Sequence, residues 1–178
     1  MSSFLQQLPA LMGVVIGALG SYLAVVRGDR ARFRREQEVR WEERRLAVYS
    51  DYARALKKSV NLTYRVAAHL GNDPHPHPIS PAEAEPQLAA ATDGRDPAGE
   101  ALIMLGSREV VEQAREWVTT VMDMERFMRA GTVDPDAWQD LLARQRACRE
   151  RYYTAVRQDL ALPPGHPALW STRPVSDG

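Results

Sequence analysis

Three imidazoles, His69, His75 and His77, fall within nine residues with Asp73 among them, and imidazole nitrogens with a carboxylate are the material of zinc and other transition-metal sites. A closed site needs four well-placed ligands, and this spacing matches no established arrangement. No thiolate lies nearby, and Pro74, Pro76 and Pro78 stiffen the segment without making its side chains converge. The stretch reads as a surface loop, and a metal-binding sensor or metal-dependent enzyme using His69, His75 and His77 is the alternative. Cys148 is the single cysteine, so an internal disulfide is excluded and a reducing compartment suits the chain. Arg144, Arg146, Arg149 and Arg151 flank it, and cations favour a reactive thiolate, but its place on an apolar helical stripe favours a buried, inert thiol.

No other grouping points to catalysis. The chain carries no serine elbow, no P-loop and no glycine-rich dinucleotide fingerprint. Glu42 and Glu43 are adjacent and point to different sides of a helix, so they cannot share a proton. No catalytic residue, cofactor or small-molecule substrate is expected. The arginines of the last helix, Arg144, Arg146, Arg149, Arg151 and Arg157, are interrupted by Asp140, Glu150 and Asp159, and 23 basic side chains balance 23 acidic ones over 178 residues. A solvated face is the expectation, with no nucleic acid as partner.

The elements that must position these residues begin with an uncharged stretch. Leu8 to Val26 is apolar apart from small residues, Pro9, Ser21 and Tyr22, and its nineteen residues would reach roughly 28 Å as a helix, enough to span a bilayer core. The basic cluster that follows, Arg27, Arg30, Arg32, Arg34 and Arg35, predicts a cytoplasmic flank and an outside N-terminus, hence a single-pass protein of the plasma or inner membrane. The same arginines could hold anionic lipid headgroups. Gly13, Gly17 and Ser21 recur every fourth residue, a face through which two spans could pack.

From Asp29 to Leu70 there is neither Gly nor Pro, and Gly71-Asn72-Asp73-Pro74 supplies a stop, so one long helix is expected. Its charged first part reads as a stalk. Trp41, Val48, Tyr52, Leu56, Val60, Thr63 and Ala67, widened by Leu46, Tyr49 and Tyr64, form a core face further on. Six prolines between 71 and 97 mark an exposed connection with room for a helical turn around Ala82 to Ala91. Ala98 to Leu105 can begin a helix that Gly106-Ser107 interrupts. Ser107 then caps a helix with the stripe Val110, Ala114, Trp117, Val118, Val121, Met124 and Met128, ending at Gly131. Asp134 and Pro135 start a last helix whose apolar positions are Trp138, Leu141, Leu142, Cys148, Tyr152, Val156 and Leu160. After it, Leu169 and Trp170 could dock back onto the bundle.

No segment alternates with period two. The expected fold is all-α: an N-terminal transmembrane helix (1–27), a juxtamembrane helical stalk (28–45), an antiparallel bundle of three helices or of four (46–162) with a Pro- and His-rich loop (71–97), and a loose tail (163–178). This layout, with WEERRLAVYSDYARAL (Trp41 to Leu56), LGSREVVEQA (Leu105 to Ala114) and RYYTAVRQDLAL (Arg151 to Leu162), resembles uncharacterised single-span membrane proteins of GC-rich Gram-positive bacteria. The resemblance implies no activity, substrate or catalytic residue. The expected function is a membrane-anchored, non-enzymatic scaffold whose body binds a protein partner or itself as a homo-oligomer, with an anionic-lipid sensor as a further alternative.

Overall fold

The computed structural model describes residue 37 and residues 40–163, and the chain divides into two compact units, residues 1–44 and 45–178. The described residues form four helices: α1, which runs over residues 40–69 and lies in the second unit from residue 45 onwards, α2 (Pro81–Leu105), α3 (Arg108–Arg129) and α4 (Pro135–Asp159). Their starts follow from capping chemistry. Ser80 accepts from the Glu83 amide while the Glu83 carboxylate accepts from the Ser80 amide, and Ser107 and Asp134 cap α3 and α4 through Val110 and Ala137. Pro81 and Pro135 occupy first-turn positions, where a missing N–H costs nothing.

The helix ends are equally local. At the end of α1, Asn72 N donates to Ala67 O at 2.8 Å and Gly71 N to Ala68 O at 3.2 Å, with Gly71 left-handed at φ 84°. This is the Schellman closure, and glycine adopts it without a Cβ penalty. α4 closes in the same way, Leu162 N to Arg157 O and Ala161 N to Gln158 O, but places an alanine, Ala161, at φ 50°.

Side-chain contacts fix an up-down-up-down order. Tyr49 and Tyr64, near opposite ends of α1, meet Asp159 and Trp138 at opposite ends of α4, so these helices run antiparallel. Thr120 meets Cys148 and Glu116 meets Arg151, which makes α3 antiparallel to α4, and the Arg95–Glu125 and Glu85–Arg129 pairs do the same for α2 and α3. The core holds Tyr52, Leu56, Trp117, Met124, Trp138, Leu142 and Tyr152, all buried. The Tyr152 ring packs 5.3 Å from that of Trp117 and 5.9 Å from that of Tyr52, within the range of favourable tilted aromatic pairs. At the far end, Asn72 donates to Thr132 O at 2.7 Å and accepts from Asp134 N at 2.8 Å, and Trp138 Nε1 donates to Asp73 Oδ2 at 3.1 Å. These bonds pin the α1–α2 connection to the α3–α4 connection.

Two expectations are corrected. The first is the single-span fold. Among the described residues no helix is long and apolar enough to cross a membrane, because each bundle helix keeps charged side chains along its outer face. The expected span Leu8 to Val26, its Gly13, Gly17 and Ser21 face, the flank Arg27, Arg30, Arg32, Arg34 and Arg35, the stalk before residue 37 and the tail beyond Pro163 lie outside the described residues. What the structure supports is an all-α four-helix bundle. The second correction is the loop at 71–97: from Pro81 onwards it is helix, with Pro86 and Pro97 inside α2 on its exposed side. Proline removes one helical hydrogen bond, and on the outer face water can take up the carbonyl so released. The face that buries α2 is Ala84, Leu88, Ala91, Arg95, the partly buried Ala98, and Leu102, a strict alternation of fours and threes. Trp41 and Leu46, expected in the core, are about half exposed.

Candidate functional site

The sequence-derived candidates do not converge. His69 lies exposed on α1, His77 is exposed in the connection, and His75 is half-buried there with its Nδ1 accepting from the His77 amide at 3.2 Å. The rings of His75 and His77 are 6.2 Å apart, and among the described residues no group of three or more His, Cys, Asp or Glu could hold a metal. The metal-sensor and metal-enzyme alternatives are thereby corrected: His69 on α1 and His75 and His77 in the connection are not gathered into one ligand set. Cys148 is buried beneath a groove between α3 and α4 of about 480 Å³, lined by Arg115, Thr119, Thr120, Arg144 and Arg151. Its Sγ accepts from Arg151 Nη2 at 3.2 Å and lies 3.5 Å from Thr120 Oγ1. The cations beside it are tied across to α3, Arg151 to Glu116 at 2.8 Å and Arg144 to Asp123 at 2.9 Å.

A different place gathers chemistry. Between α2 and α3 lies an open cleft of about 310 Å³. Leu102 and Ile103 from α2 and Val111, Ala114, Val118 and Met122 from α3 form its apolar walls, Tyr52 of α1 and Gly99 its floor, and Asp96, Glu100 and Arg115 its rim. A Cβ on Gly99 would come within 3.9 Å of the Tyr52 ring, so the small residue keeps the floor low. Ile103 is 55% exposed and Met122 42%, so the cleft walls leave large apolar side chains in water, and Met104, next to Ile103 in the chain, is 74% exposed.

One wall carries a buried ion pair. Arg95 and Glu125 are 6% and 4% exposed, and Arg95 Nη1 meets Glu125 Oε1 at 3.4 Å. Arg95 Nη2 donates to Thr92 Oγ1 at 3.5 Å, and Arg129 approaches the other Glu125 oxygen at 3.9 Å. A guanidinium this deep must be paired, since an unpaired buried charge is prohibitively costly. Tyr52 donates to Ala114 O at 3.1 Å, and burial pushes its phenol up to about 12 although the Arg95 charge acts the other way. It stays protonated and committed to that carbonyl at physiological pH. No His, Ser, Thr or Cys lines this cleft.

Sequence reasoning missed Arg95, Glu125 and the cleft. The signal was present as the four-three spacing from Ala84 to Leu102, obscured because three alanines and an arginine dilute its two leucines and prolines are interleaved with it.

No family model, no curated protein and no solved structure matches this chain. The expected resemblance to single-span membrane proteins is corrected with the fold: neither a family match nor a spanning helix among the described residues stands behind it. The membrane as partner, the plasma-membrane placement and the outside N-terminus rested on that span and are corrected with it.

Proposed function

We propose that this chain is a non-enzymatic helical interaction module whose recognition surface is the α2–α3 cleft, taking an apolar side chain presented by another polypeptide. The observation that carries the reading is the exposure of Ile103 and Met122 in the wall of an open, apolar-walled cleft, with Met104 exposed next to Ile103 in the chain. Apolar surface left in water near a concave, partly preformed seat is the usual character of a protein recognition site, and a single inserted anchor side chain often dominates such contacts. Two of the polar groups in the cleft are already committed, which favours binding over catalysis: Arg95 is neutralised by Glu125 and the Tyr52 hydroxyl is engaged by the backbone. A photoreactive amino acid placed at Met122, with one at exposed Arg146 as control, tests the proposal in living cells. Discrete polypeptide adducts from position 122, absent at 146, are expected. Equal or no adducts at the two positions would overturn it.

A further inference from the structure

The walls and rim of the cleft specify what kind of polypeptide it takes. Resting on the reading of the cleft as a seat for an apolar side chain, we propose that its occupant is an amphipathic helix of about three turns from another protein, with lysine or arginine beside its apolar ridge to meet Asp96 and Glu100.

The charge around the cleft is uneven. α2 carries Glu83, Glu85, Asp93, Asp96 and Glu100 against one base, Arg95, which is buried and matched by Glu125. Glu83 is held by Ser80 and Glu85 by Arg129, whereas Asp93, Asp96 and Glu100 are exposed and form no ion pair among the described residues. Their three-four spacing sets them in one row along α2, and Asp96 and Glu100 line the cleft itself. On the α3 side the charged lining residue is Arg115, also without an ion pair among the described residues. A helix with cations on its α2 side alone therefore meets complementary charge, which steers its encounter and rejects acidic competitors.

The walls also select a helix over an extended peptide. Val111, Arg115, Val118 and Met122 recur at fours and threes along α3, a rise of about 16 Å, which three turns of an occupant match. Both walls are helices with their backbone groups bonded internally, so they offer no strand edge for an extended segment to pair with. The polar side chains beneath are engaged as well, the Tyr52 hydroxyl by Ala114 O and Arg95 by Glu125. An extended occupant would bury N–H and C=O groups against Leu102, Val111 and Val118 without partners, a penalty that a helix avoids by satisfying its own. The described helices of a second copy lack the pattern: α3 and α4 turn their apolar stripes into the core, and the exposed face of α1 from Arg54 to Asn61 is basic but carries no apolar ridge.

Photo-crosslinking in living cells from position 122 of the full-length chain, with the captured segment sequenced from the adduct, tests the proposal. The expected segment belongs to another protein, has apolar residues at helical spacing and carries Lys or Arg within one turn of the captured residue. Asp96→Lys with Glu100→Lys should lower the adduct yield by about 10-fold or more, and changing those Lys or Arg residues of the partner to Glu should restore it. Asp140→Lys with Glu150→Lys, the same change of charge at exposed positions on α4, should leave the yield unchanged. If adducts form but the segment has no basic residue, belongs to a second copy or is captured equally by the Asp96→Lys, Glu100→Lys chain, the basic-helix occupant is overturned and the cleft remains a recognition surface. If the native rim gives no adducts from position 122, the reading of the cleft itself fails.

Discussion

Replacing Arg95 by methionine should be among the most damaging single changes to this bundle, and the structure sets the size of the effect. The pair is 3.4 Å apart and more than nine-tenths buried at both ends. At an effective dielectric constant of 20, two unit charges at that distance attract by about 5 kcal/mol. Methionine fills a similar space but leaves the Glu125 carboxylate buried with only Arg129 at 3.9 Å, a guanidinium 46% exposed and so weakly effective through solvent screening. Breaking a buried pair from one side costs about 3–5 kcal/mol, and the Arg129 contact places the expected loss near the lower end, about 3 kcal/mol. Arg95→Met with Glu125→Met removes the stranded charge and should cost about 1 kcal/mol or less, because apolar replacement of a whole pair is often neutral. Urea unfolding of the native chain, both single variants and the double variant, with unchanged m values, gives the cycle directly. A single-variant loss under about 1 kcal/mol, or a double variant that sums the single costs, would refute the argument that burial makes these charges mutually obligatory.

Further outcomes follow from other parts of the bundle. Because burial raises the Tyr52 phenol to about 12, the unfolded chain gives up this proton at lower pH than the folded one; stability should hold below pH 10 and fall by about 2–3 kcal/mol on passing to pH 12, less in Tyr52→Phe. Tyr152, raised further by burial, should steepen the same alkaline loss, and urea midpoints at pH 8, 10, 11 and 12 read both. Ala161→Gly should stabilise by about 0.5–1 kcal/mol, since it relieves a left-handed alanine at a helix end, and a rise in thermal midpoint measures it. Asn72→Ala should cost about 2 kcal/mol in the same assay, because it leaves Thr132 O and Asp134 N without the partners that join the two connections.

How legible these features were depended on which physical signal each element carries. α3 and α4 announce themselves: Ser107, Asp134 and Pro135 are strong starts, and large apolar residues at helical spacing, Trp117, Met124, Trp138 and Tyr152, name the buried faces. Cys148 sits buried on that stripe, as its apolar neighbours indicate. α2 was concealed because its prolines suggest loop chemistry and its buried face carries only two large apolar residues, Leu88 and Leu102, among alanines and Arg95. The Ser80–Glu83 capping box was the local clue that a helix starts there. The histidines were read as a surface loop with a metal site as the alternative, and only the alternative is corrected, because their sequence proximity does not become convergence. The cleft was illegible for a more general reason. It lies between α2 and α3 above Tyr52, and a stripe pattern reports which face of a helix is buried, not where a space is left between two helices.

The most direct test of the recognition surface is in-cell photo-crosslinking from position 103, in the otherwise native chain and in one carrying Met122→Glu. Met122 is 42% exposed, so a charge there leaves the core intact while placing an anion in the apolar wall. The account predicts discrete polypeptide adducts from position 103 that weaken by about 10-fold or more with Met122→Glu, the effect of placing an uncompensated charge in a desolvated contact. Adducts of unchanged yield in the charged variant, or none in either chain, would contradict it.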